Sequence, residues 1–120
     1  MRSAPESVAI ESLPPVPSAR PPRPQASTPV DEAARERAET QLLDRAQQSL
    51  GADPATTLRL CEEHARGYPG GALGLEREVL AIDALVRLGR REEAERRAAR
   101  FRERHPGSGY LPRLAVILGR

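Results

Sequence analysis

Lysine and tryptophan are absent from this chain, and its aromatic content is one Phe and two Tyr. All 19 basic residues are therefore Arg, a bias that reads as the codon usage of a GC-rich bacterial genome rather than a selected chemistry. A core without aromatics must be assembled from Leu, Ile, Val and Ala, which suits closely packed helices better than a sheet. Cys61 is the single cysteine; an internal disulfide is excluded and the redox compartment stays open. No stretch approaches the roughly 20 apolar residues of a membrane span, and the N-terminus lacks a signal peptide's apolar segment. Localisation stays unknown: bacterial and cytoplasmic, or periplasmic if this is the soluble part of a longer, membrane-anchored protein.

What is present is divided along the chain. Residues 1–30 carry eight of the twelve prolines and no Gly, so residues 1–28 are expected to be a disordered, Pro-rich arm with polyproline-II character. Within it Pro14-Pro15-Val16-Pro17 and Pro21-Pro22-Arg23-Pro24 could dock a proline-binding domain, though a plain spacer is the simpler reading. Residues 31–86 hold eleven acidic residues against six Arg, a balance of −5, whereas residues 87–120 hold ten Arg against four Glu, a balance of +6. The folded part should be a dipole.

Residues 29–120 are expected to form an all-α domain of about five helices. The first is expected over about 30–50, capped by Thr28-Pro29-Val30-Asp31, with Ala34, Ala38, Leu42, Ala46 and Ser49 on its inner face and Leu43 and Leu50 beside it. Asp53-Pro54 opens the second, over 54–67, whose inner face is Leu58, Cys61, Ala65 and Tyr68, or the neighbouring stripe through Thr57 and His64. Leu75, Val79, Ile82, Leu85, Val86 and Leu88 recur at spacings of three and four, predicting a helix over 73–88 that Gly89 stops. Ala94, Ala98 and Phe101 define a fourth over 91–105, and a fifth, over 109–119, presents Leu111, Leu114, Ala115, Ile117 and Leu118. Pro112 is tolerated in its first turn.

Pro69 and Pro106 are 37 residues apart. Counting back, Tyr68 matches His105, His64 matches Phe101, Cys61 matches Ala98 and Thr57 matches Ala94. With Ala94, Phe101 and Pro106 in these places the chain resembles the tetratricopeptide repeat family, and Phe101 to Ser108 is similar to the variant found in bacterial cell-envelope helper proteins. The resemblance implies helical hairpins stacked as a right-handed array. It also implies a protein-binding adaptor whose concave face is lined by the first helix of each hairpin. Gln41, Arg45, Gln48, Arg77 and Asp83 are the partner-binding candidates on those helices.

Catalytic readings lack parts. Cys61-Glu62-Glu63-His64 supplies two residues of a possible metal half-site, but zinc needs three or four, and a Cys–His nucleophile would lack an orienting group. The carboxylates suit helical ion pairs such as Glu92 to Arg96, Glu93 to Arg97 and Asp83 to Arg87. Gly67, Gly70, Gly71 and Gly74 lack the Lys-Ser/Thr ending of a phosphate loop. No enzyme activity, catalytic residue, cofactor or metal is expected, and the function expected is non-catalytic binding of a peptide or protein segment. Two alternatives stand: the soluble sensor or regulatory end of a membrane-anchored envelope protein, or binding of nucleic acid or another acidic partner through the Arg-rich helix 90–104, on a basic face of Arg96, Arg97 and Arg100. Leu114, Ile117 and Leu118 have no following helix to cover them, so that face is expected either to fold back on the fourth helix or to dock a second copy (a homo-oligomer through the C-terminal helix) or a missing continuation.

Overall fold

The computed structural model describes residues 28–119, so the expected arm and its proline clusters lie outside the described residues. The chain parts into Met1–Glu32 and Ala33–Arg120; only the opening turn of the first helix belongs to the former among the described residues. The described residues are all-α, with α1 Pro29–Ser49, α2 Pro54–Gly67, α3 Gly74–Arg87, α4 Arg91–Arg104 and α5 Leu111–Ile117. The fifth helix is shorter than its apolar spacing suggests, opening at Leu111 rather than 109.

Start signals act as their chemistry requires. Thr28 Oγ1 accepts from the Asp31 amide at 3.0 Å. Asp53 accepts the Thr56 amide at 3.3 Å and the Thr56 hydroxyl at 2.6 Å, which supplies one orphan donor of α2 with a partner. These Thr56 bonds hold the Asp53 carboxyl below the usual carboxylate range. At the end of α3, Gly89 takes φ 78°, the left-handed conformation that a C-terminal cap uses and a side chain resists.

α3 is the centre of the packing. It lies against α2, α4 and α5, and Val79, Leu80, Ala81, Ile82, Ala84 and Leu85 are all buried. Ala81, Ala84, Ala94 and Ala98 are completely buried, and their small side chains let neighbouring helices approach closely. The apolar face of α5 folds onto α3 rather than α4, burying Leu114 and Leu118. α1 meets α2 partly through polar bridges: the Thr57 hydroxyl donates to the Ala46 carbonyl at 2.7 Å in the interior.

Two expected faces are corrected. On α1 the inner stripe is Glu39, Leu42, Leu43 and Ala46, while Ala34 and Ala38 are exposed; the helix is turned so that a carboxylate enters the core. On α2 both candidate stripes are used together, Thr57, Leu58, Leu60, Cys61 and His64 being buried, and Ala65 is left outside. A helix covered on two sides needs an interior face wider than one stripe.

The connectors after α2 and α4 share one pattern of hydrogen bonds. Tyr68 N donates to His64 O and His105 N to Phe101 O, both at 2.8 Å; Gly71 N donates to Tyr68 O at 2.9 Å and Ser108 N to His105 O at 3.0 Å. Tyr68 has φ −134° and ψ 54°, His105 φ −135° and ψ 61°. α3 and α5 likewise both stop at Leu-Gly, with Gly89 at φ 78° and Gly119 at φ 76°.

Candidate functional site

Glu39, on the inner face of α1, is 6 % exposed, and His64 of α2 is fully buried. The His64 Nε2 lies 3.0 Å from Glu39 Oε2, and its Nδ1 lies 3.1 Å from Arg77 Nη1 of α3. A guanidinium can only donate, so Nδ1 must accept and the proton sits on Nε2, donated to Glu39. Burial first, and the Arg77 charge second, push the His64 pKa down against the pull of Glu39. The ring is thus a neutral link between an acid and a base. Glu39 Oε2 also accepts the Leu73 amide at 3.3 Å, tying the connector before α3 to α1.

Gly71 is shaped around this carboxylate. A Cβ there would stand 2.4 Å from Glu39 Oε2 and 3.1 Å from the Tyr68 carbonyl. Tyr68 closes the other side, its ring 5.3 Å from that of His64 and 4.8 Å beneath the Arg35 guanidinium. Arg35 Nη2 also donates to the Gly67 carbonyl at 2.9 Å.

On the outer side of Arg77 a groove of about 430 Å³ opens between the Gly70–Gly74 connector, α3 and α4. Arg77, Arg97, Arg100 and Arg104 line it with Glu78 as the one carboxylate, and Phe101 and Leu75 supply apolar surface. Phe101 is 3 % exposed and its ring is held 5.2 Å from His105. Arg97 grips Glu78 with two bonds, Nε to Oε2 at 2.8 Å and Nη2 to Oε1 at 2.9 Å. Burial pulls the Glu78 pKa upward, but the Arg97 bonds and the charges of Arg97, Arg77 and Arg100 outweigh it and hold the carboxyl below its usual value. Neither Arg100 nor Arg104 makes an ion pair or hydrogen bond among the described residues.

The structure distributes the residues that the sequence singles out. Arg77, Arg97 and Arg100 come together on the groove; Arg96 is exposed but does not line it. Gln41, Arg45 and Gln48 are exposed on α1. Asp83 lies by a small cleft with Gln47, Tyr110 and Arg113 and accepts from Arg87 Nε at 2.9 Å, as expected for that pair. Arg97 bonds to Glu78 across helices, not to Glu93, which instead bonds Arg90 at 2.7 Å. Across 19 residues, nothing local in the sequence marks the Glu78–Arg97 pair. Glu39 did have a signal: it lies three and four residues before Leu42 and Leu43, on their stripe, where a carboxylate demands a partner.

The groove offers guanidinium donors beside a small apolar surface. Burial pushes the Cys61 thiol up to about 12, leaving no thiolate to attack or to bind metal. Both His64 nitrogens are engaged inside the protein. Among the described residues no group of three or more His, Cys, Asp or Glu is placed to hold a metal ion, and no helix is long and apolar enough to cross a membrane. No family model, curated protein or solved structure matches the chain.

Proposed function

We propose that residues 33–120 form a non-catalytic interaction module, a short array of helical hairpins of tetratricopeptide-like kind, that binds an extended segment of a partner protein. The groove between the Gly70–Gly74 connector, α3 and α4 carries this reading: it is open, Leu75 gives it some apolar surface over the buried Phe101, and it holds guanidinium groups with no ion pair among the described residues. The shared bonding of the two connectors, 37 residues apart, supports the repeat character. The rigid lining supports binding without large rearrangement: Arg97 is pinned by Glu78, and Arg77 by His64.

Panning a display library of random dodecapeptides against the whole protein tests this. Enriched peptides should lose binding when Ala72, exposed beside the groove, is replaced by Trp, and should keep it when Gln41, Arg45 and Gln48 become Ala. The opposite pattern would move the site to the outer surface of α1.

A further inference from the structure

Resting on that reading, we infer that the groove is selective for an acidic segment, one that presents carboxylates at alternate positions of an extended strand to Arg100 and Arg104. Three observations lead there. The groove gathers four guanidinium groups around a single carboxylate, and that carboxylate is already bound by Arg97, leaving the fork-shaped donors of the exposed Arg100 and Arg104 turned to solvent with no hydrogen bond or ion pair to the described residues. The Glu78–Arg97 pair shows within the same groove the two-bond geometry that a ligand carboxylate would adopt with a neighbouring Arg. Spacing then selects the ligand. Arg100 and Arg104 are one turn apart on α4, about 6 Å along its axis, and the side chains at i and i+2 of an extended strand are separated by about 6.6 Å on one face. Acid, any residue, acid is the pattern that fits.

A nucleic-acid strand fits less well. Phosphate-lined ligands that are held without base pairing need exposed rings for their bases to stack on, yet Phe101 is buried and the other ring lining the groove, His105, is half-buried against it. The remainder of α4 interleaves Glu92, Glu93, Glu95 and Glu103 with its arginines, which breaks up a continuous phosphate track.

The test uses the whole protein, labelled with nitrogen-15, and two fluorescent decapeptides, one alternating Glu and Ala and the other alternating Gln and Ala. At low salt the Glu peptide should bind and shift the amide signals of residues 70–75 and 97–105, and the Gln peptide should not. Arg100→Ala/Arg104→Ala should weaken binding by about tenfold or more, whereas Arg96→Ala/Arg102→Ala, with the same loss of charge outside the groove, should change it by less than about twofold. Equal weakening by both pairs, or binding of a ten-nucleotide oligothymidylate as tight as that of the Glu peptide, overturns the proposal in favour of diffuse attraction to polyanions. If the Gln peptide shifts the same amides as strongly, the acidic preference is overturned while the groove remains a segment-binding site. If neither peptide shifts them, the acidic-segment inference falls, and the groove as a segment-binding site falls with it only if the random dodecapeptides also give no binder sensitive to Ala72→Trp.

Discussion

His64 is buried without charge, and its neutrality has a measurable cost in acid. Its folded pKa lies below the ordinary 6.5, so the unfolded chain takes up a proton first as pH falls. The stability associated with the neutral ring is complete above about pH 6.5 and declines as pH drops through the lowered value. Urea midpoints measured at about pH 7.5 and about pH 5.5 should therefore differ, and the difference should shrink in His64→Gln, whose amide keeps one donor and one acceptor without titrating. His64→Ala should be far worse, by about 3 kcal/mol, because it strands the Glu39 carboxylate in the interior. Gly71→Ala should act on the same cluster from outside: its methyl group would push Glu39 away from His64 and the Leu73 amide, for a loss of about 1–3 kcal/mol in chemical denaturation.

Between elements, α3 and α4 are joined by apolar packing and by the Glu78–Arg97 bridge, whose side chains are 25 % and 23 % exposed. A double-mutant cycle of Glu78→Ala and Arg97→Ala should give a coupling of about 1–2 kcal/mol near neutral pH. Because the folded carboxyl is held below its ordinary 4.5, that coupling should persist above about pH 4.5 and vanish as pH falls through the lowered value. The helices themselves were legible because their signals are local: a Thr or Asp before a Pro, apolar residues three and four apart, a Gly where φ turns positive. Ala94, Ala98 and Phe101 are buried together as their spacing implies. The bridge and the Glu39–His64–Arg77 cluster were not legible in the same way, since each pairs residues from different helices. Alanines misled for a physical reason too: Ala34, Ala38 and Ala65 continue apolar spacings, yet a methyl group costs so little in water that such a position does not force a face inward.

At the scale of the molecule, burial among the described residues converges on α3, and even residues past the last turn of α5 contribute to it. Leu118 is completely buried, and its carbonyl accepts a bond from Arg91 at the start of α4. Leu118→Ala should cost about 3 kcal/mol, visible as a lower urea midpoint with an unchanged slope, whereas Val116→Ala, at a position 77 % exposed, should change little.

The Glu39–His64–Arg77 line also bears on how this sequence can drift. By the 37-residue offset His64 matches the buried Phe101 and Arg77 the buried Leu114, whereas Glu39 matches Glu76, which is only half-buried. A wholly polar trio and a wholly apolar one can each be accommodated; mixtures leave a charge in the dark. Positions 39, 64 and 77 are thus expected to change together, because losing one charged partner alone leaves the other buried without compensation. A library randomised at all three and selected for resistance to protease should return two families of survivors, with almost nothing between them.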